Sequence, residues 1–226
     1  MFLEQNIKGI CDKYGVVYSD FLGDFDVENP QELSLFDLEA ICDENGIDLY
    51  SILFKSMFKT NAWKNKIAKI KLLILDVDGV LTDGGMYFTE NGDQIKKYNT
   101  KDGMAIIHLT KNDFQVAIIS SGFTDKMVKT RAEVLGIQRC HVGREKKIDI
   151  LSNFCKELDI KLENVAIIGD DINDLEIIKN VGFSACPSDA VDIVKTNVDV
   201  VLSKKGGEGC VREFIDAYLL EQPIEK

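Results

Sequence analysis

The chain is expected to be an α/β protein, a parallel sheet wrapped by helices over residues 66–226 and preceded by a small all-helical domain over residues 1–65. Three observations predict this. From about Lys71 onward, short apolar runs alternate with amphipathic stretches, the pattern of strand–helix units that build a parallel sheet. All but the last of these runs end in a small, polar or acidic residue, as strands do whose carboxyl ends face a ligand. Residues 1–65 show short acidic helical segments and no such strand pattern.

The strands expected from the apolar runs are 71–76 (K-L-L-I-L-D), 115–120 (Q-V-A-I-I-S), 164–170 (N-V-A-I-I-G-D), 183–186 (F-S-A-C) and 198–202 (V-D-V-V-L). Helices are expected over 102–112, 124–135, 146–158, 171–180, 188–195 and 208–220. Several of them open on Asp, Ser or Thr, and Gly136 and Gly182 mark helix ends. Between the first strand and the first of these helices lies G-M-Y-F-T-E-N-G-D-Q-I-K-K-Y-N (85–99). Its two alternating halves, joined by Asn91-Gly92, predict a hairpin at the ligand edge, as a lid or a subunit contact.

Composition narrows the function. A net charge of −11 disfavours broad contact with nucleic acid or anionic membrane, so an anionic ligand must be received locally. Residues 1–65 carry five Lys against twelve acidic residues, a net −7. No apolar run approaches the roughly 20 residues that span a bilayer, and M-F-L-E-Q-N has neither the basic region nor the apolar block of a signal peptide. The six cysteines are scattered without metal-ligand spacing, which predicts reduced core residues and a cytoplasmic protein.

The chemistry lies at the strand ends. D-V-D-G-V-L-T-D-G places Asp76 and Asp78 on one loop at the ligand edge. Carboxylates that close repel unless a cation lies between them, and a hard ion such as Mg2+ takes oxygen donors of this kind. G-D-D-I-N-D brings Asp170, Asp171 and Asp174 to the end of a later strand. One acid there reads as a helix cap, but two clusters after two buried strands read as metal donors. Asp174, one turn into a helix, also fits a capping or dipole partner. Ser120-Ser121-Gly122 supplies hydroxyls and helix-opening amides for phosphate oxygens, and Lys147, or Lys146 beside it, supplies a neutralising cation.

The order D-x-D, Ser, Lys, D-D along residues 68–220 resembles the four motifs of the haloacid dehalogenase superfamily. D-V-D-G-V-L-T-D-G, the hairpin, N-T-K-D-G-M-A-I, G-D-D-I-N-D and G-G-E-G-C-V-R-E (206–213) are similar to the 3-deoxy-manno-octulosonate 8-phosphate phosphatase group and its relatives acting on sialic-type 9-phosphates. The resemblance implies a Rossmann-like sheet without a large cap domain, a β-hairpin flap, and a homotetramer in which hairpins meet and a neighbouring subunit helps close each site. It also implies Asp76 as nucleophile and Asp78 as general acid and base. Ser120 and Ser121 would bind phosphate and Lys147 would clamp charge. Magnesium would rest on Asp76, the Asp78 main-chain carbonyl and Asp170, with Asp171 and Asp174 in support. The group usually has T-G-R after its second strand where this chain has Ser120-Ser121-Gly122. The missing arginine leaves the substrate's carboxylate without an obvious bidentate partner, and Lys126 or Arg131 is the candidate replacement.

The remaining residues take plainer readings. The segments around Phe2–Leu22 and Leu33–Phe54 resemble a repressor-type helix-turn-helix domain. Where that family has its basic recognition helix, this chain has G-D-F-D-V-E-N-P, which repels phosphate, so a protein-contact or degenerate module is expected rather than a DNA-binding one. His108 and His141 read as packing or edge residues. Phe54, Met57, Phe58 and Trp63 read as an apolar face joining the domains. Gly206, Gly207 and Gly209 read as a flexible active-site edge, with Arg212 as a substrate contact. The expected function is a cytosolic Mg2+-dependent phosphatase acting on a phosphorylated 3-deoxy sugar acid. Two alternatives are a regulator that senses a phosphorylated ligand and a phospho-acceptor receiver domain. Receivers place their paired acids first and their acceptor later, the reverse of the order here.

Overall fold

The computed structural model describes residues 2–14, 16–55, 57, 61–90, 94–122 and 125–220. The chain divides into two compact units, Met1–Asn65 and Lys66–Lys226.

The first unit contains helices α1 (Leu3–Tyr14), α2 (Tyr18–Gly23), α3 (Leu35–Asn45) and α4 (Leu49–Phe54), and α5 (Asn61–Ile67) runs across the division. Leu3, Ile7 and Ile10 of α1 recur at helical spacing and pack on Leu38, Ile41 and Ile52 to form this unit's own core. Ser34 and Asp37 close a reciprocal capping box at the start of α3, which ends at Gly46 with φ of 64°. Asn6 is fully buried and satisfied, donating to the carbonyls of Ile52 (2.8 Å) and Lys55 (2.7 Å) and accepting from Met57 N–H (2.9 Å). Met57 packs against this core and Phe54 is exposed beside Tyr50, while Phe58 lies outside the described residues.

The second unit is a six-stranded parallel sheet flanked by helices. Its elements run β1 (Leu72–Leu75), the two-stranded ribbon β2 (Tyr87–Phe88) and β3 (Gln94–Ile95), α6 (Thr100–Lys111), β4 (Gln115–Ser120), α7 (Asp125–Val134), β5 (Arg139–Val142) and α8 (Lys147–Leu158). They continue with β6 (Val165–Ile168), α9 (Leu175–Ile178), β7 (Phe183–Cys186), α10 (Asp192–Lys195), β8 (Val200–Val201) and α11 (Cys210–Phe214). The strand order is β5-β4-β1-β6-β7-β8. All four residues of β1 and of β6 are buried, which explains their unbroken apolar runs. On one face Leu72, Ile74, Ala117, Ile119, Val165 and Ile167 pack against Leu151 and Cys155 of α8 and Ile177 and Ile178 of α9. At the C-terminal end Phe183, Phe214 and Tyr218 form an aromatic triad with centroids 5.3–6.0 Å apart.

Several expectations are corrected. β5 was not foreseen: R-C-H-V is a half-buried edge strand, so it lacks the apolar run that marks its neighbours. The 171–180 helix is a tight turn over Ile172–Asp174 followed by the single turn of α9, because the Asp171 side chain caps the turn at Ile172 N–H (2.7 Å). The 188–195 helix shortens to α10, after Pro187 and an extended Val191. The expected 198–202 strand shrinks to the two residues of edge strand β8. The hairpin arms pair Tyr87 with Ile95 and Phe88 with Gln94, while the Asn91-Gly92 turn lies outside the described residues. No disulfide joins the cysteines, and no helix among the described residues is long and apolar enough to cross a membrane.

The sheet register positions the site. Leu75 pairs with Ile118 on one side and Ile168 on the other, so β4, β1 and β6 end side by side. The chain passes from β1 to β4 on one flank and later to β6 on the opposite flank. Their connections diverge at β1 and leave a crevice at the carboxyl edge.

Candidate active site

At that edge an open cleft of about 200 Å³ is lined by Asp76, Asp78, Gly84, Met86, Lys96, Ser120, Ser121, Gly122, Asp170, Asp171 and Asn173. Asp76 follows β1, and its Oδ1 accepts from Val77 N–H (2.7 Å) and lies 3.0 Å from Lys147 Nζ. Lys147 opens α8 with its side chain buried, whereas Lys146 beside it is exposed. The Lys147 ammonium also donates to Asp174 Oδ1 at 2.8 Å. Asp174 is thus more than a surface cap: it is buried, and its Oδ2 accepts from Asp170 N–H (3.2 Å).

Carboxylate oxygens of Asp76, Asp170 and Asp174 all lie within 4.8 Å of one another. Burial, then the charge of Asp174, push Asp76 up to about 8 against the opposing pull of Lys147. Asp170 rises to about 7, first from burial and then from Asp174 and Asp171. For Lys147, burial lowers the pKa, but Asp76 and Asp174 together outweigh it and hold the ammonium above its ordinary range. One ammonium cannot neutralise three carboxylates, and Asp170 Oδ1 is buried without a hydrogen-bond partner. An all-oxygen cluster with excess negative charge and an unsatisfied donor atom fits a hard divalent cation such as Mg2+.

The other expected residues divide. Ser120 is buried and its Oγ accepts from Gly122 N–H (3.2 Å), while Ser121 Oγ accepts from Asn173 Nδ2 (3.3 Å), so both hydroxyls line the cleft. The Asp78 carboxylate stands apart from the acidic triad: its Oδ1 receives Lys96 Nζ and, at 3.5 Å, Thr82 Oγ1. Asp171 lines the rim but its carboxylate is occupied as a cap.

Arg212 is not brought to the cleft, because the α11 face that carries it turns its Nε to Asp216 Oδ2 (2.5 Å) and its main-chain N–H to buried Asp102 (2.7 Å). The glycine loop is packed rather than a loose edge. A Cβ on Gly206 would meet the Gly79 carbonyl at 1.9 Å, and Gly207 N–H donates to Val80 O (2.9 Å). Neither Lys126 nor Arg131 lines the cleft; Lys126 is exposed, and the Arg131 guanidinium sits 5.4 Å from the Tyr98 ring centre. His108 faces solvent on α6, and His141 lies in edge strand β5 beside Glu145 (3.1 Å). Lys96 was missed. Its partner lies eighteen residues earlier across the hairpin, and only the pairing of β2 with β3 shows that an arm of that hairpin reaches the Asp78 loop.

Residues 141–215 match the haloacid dehalogenase-like hydrolase family. The 3-deoxy-D-manno-octulosonate 8-phosphate phosphatase of Escherichia coli K12 is 41% identical over 157 residues, covering 70% of this chain and 83% of the relative. The crystal structure of the Yersinia pestis phosphatase of the same name superposes with a TM-score of 0.69 at 36% identity, over 72% of this chain and 88% of that one. The Moraxella catarrhalis phosphatase, solved in complex with a magnesium ion, a phosphate ion and 3-deoxy-D-manno-octulosonate (KDO), does so with a TM-score of 0.69 at 32% identity, over 73% and 94%. An acidic strand-end cluster with a buried lysine, at this level of identity, makes the chain a phosphoric monoester hydrolase that belongs to the 3-deoxy-D-manno-octulosonate 8-phosphate phosphatase family of haloacid dehalogenase-like hydrolases.

Proposed function

We propose that the protein is a cytosolic Mg2+-dependent phosphatase that hydrolyses the phosphomonoester of a 3-deoxy sugar acid, 3-deoxy-D-manno-octulosonate 8-phosphate first among them, through an aspartyl phosphate on Asp76. The observation that carries this is the convergence of Asp76, Asp170, Asp174 and Lys147 at adjacent strand ends, in a chain 41% identical to a phosphatase of that name. Asp76 Oδ1 is engaged by Val77 and Lys147, which leaves its other oxygen to attack phosphorus. Ser120 and Ser121 hydroxyls and the Gly122 amide region receive the phosphate oxygens, and the Lys147 ammonium offsets their charge. As the phosphorus–oxygen bond to the sugar breaks, its electron pair passes to the leaving oxygen, which takes a proton from Asp78. Asp78 then draws a proton from the water that releases inorganic phosphate from Asp76. The Asp76 and Asp170 carboxylates and the Asp78 main-chain carbonyl, with Asp174 in support, would hold Mg2+, which would supply the charge that offsets the repulsion between carboxylate and phosphate.

Three further readings belong with this one. Residues 1–65, with their own core and acidic surface, form a separate protein-contact domain that catalysis does not require. The hairpin joins copies of the chain into a homotetramer, supported by Met86, Tyr87, Phe88 and Ile95, each more than half exposed. The Ser120-Ser121-Gly122 departure makes a nonulosonate 9-phosphate the second substrate to test.

Phosphate release with Mg2+ should be fastest on one of these two sugar-acid esters in a panel that includes simple sugar phosphates. Asp76→Asn should abolish release on all of them. Folded, Mg2+-loaded protein inert across the panel, or an active Asp76→Asn variant, would overturn the assignment.

A further inference from the structure

Lys96 follows β3 in the hairpin, yet its side chain is only 7% exposed and its ammonium meets Asp78 Oδ1. Thr82 Oγ1 addresses the same oxygen at 3.5 Å. The opposite oxygen faces the phosphate side, because a Cβ on Gly122 would lie 4.0 Å from Asp78 Oδ2 and 3.4 Å from Ser120 Oγ. Asp78 sits in a kinked, non-helical stretch next to Gly79, whose φ is 85°, so no regular backbone ladder fixes this carboxylate. Its orientation therefore depends on what grips Oδ1.

Resting on the phosphatase reading above, we propose that Lys96 is a positioning residue. It locks Asp78 by one oxygen so that the other is presented to the oxygen leaving phosphorus, and it thereby ties proton transfer to the seating of the hairpin. A buried ammonium gains more from such a contact than a surface lysine would, since it has given up water. A carboxylate held in one orientation keeps the near-attack geometry that a freely rotating one loses. Lys96 pairs with Asp78 and not with the acidic triad in this arrangement, so its effect should fall on protonation of the leaving oxygen and not on the nucleophile.

The test compares p-nitrophenyl phosphate, whose leaving group departs without a proton, with phenyl phosphate, whose phenol has a pKa near that of tyrosine, about 10. Neither ester carries the sugar's carboxylate, so the result is independent of the natural substrate. The kcat/KM value covers every step through loss of the leaving group. Lys96→Met should widen the p-nitrophenyl to phenyl ratio of kcat/KM by about tenfold, with Asp78→Asn widening it at least as much. Lys96→Arg should restore most of the ratio. Adding Lys96→Met to Asp78→Asn should widen it no further, as expected of residues acting in series. Equal losses on both esters with an unchanged ratio, or a full additional loss in the double variant, would overturn the proposal, as would an unaltered Lys96→Met. Failure of the phosphatase reading is separate and shows in Asp76→Asn, which under that reading is inert on both esters.

Discussion

At the scale of single residues, burial and mutual repulsion set the behaviour of the carboxyl triad. Asp76 at about 8 and Asp170 at about 7 lie well above the ~3.9 of an unfolded aspartate. Groups raised in this way favour the folded state at acid pH, and that contribution is lost as the pH climbs through the folded values. Metal-free protein should therefore lose melting temperature from this source as the pH rises from about 4, where the unfolded carboxyls ionise, to about 8, and no further above it. Mg2+ must displace the protons the cluster has retained, so its binding should release protons and strengthen across the same interval. Calorimetric melts with and without Mg2+ check both, and the metal-induced rise should be larger at about pH 8. A rise that shrinks toward alkaline pH contradicts this account.

At the scale of elements, the loop after β1 depends on Gly79. A Cβ there would lie 2.0 Å from Asp170 Oδ2, and the φ of 85° disfavours any side chain. Gly79→Ala should push Asp170 out of the cluster and lower Mg2+ affinity or turnover by about 10–100-fold, measured by metal titration and phosphate release. What could be read from the sequence divides along the same lines. β1, β4 and β6 were legible because complete burial writes an apolar run, and Asp76, Ser120 and Asp170 because they stand where those runs stop. Edge strand β5 is half exposed and leaves no such run. The direction of a helical side chain was also illegible, so Arg212 was expected at the cleft although it pairs with Asp216. Gly206 signals a close backbone approach, a meaning that emerges only once the Gly79 carbonyl is known to lie behind it. Lys96 depends on the reach of a hairpin arm, which local pattern does not encode.

At the scale of the whole molecule, the two units have separate cores. A chain beginning at Lys66 should keep its kcat/KM for phosphate release within about twofold. A collapse of activity on truncation, with the melting transition intact, would show that the helical unit serves the chemistry. Inside the second unit, attachment is uneven. Asp76, Ser120 and Asp170 are rooted in three neighbouring strands laced by continuous ladders, while the arms of the hairpin that brings Lys96 and Met86 pair, among the described residues, over two residue pairs. Breathing motions that part the acids must unzip the middle of the sheet, whereas those that shift the hairpin need not. Selection can therefore reshape the mouth, and with it the molecules admitted, while the chemistry beneath stays fixed.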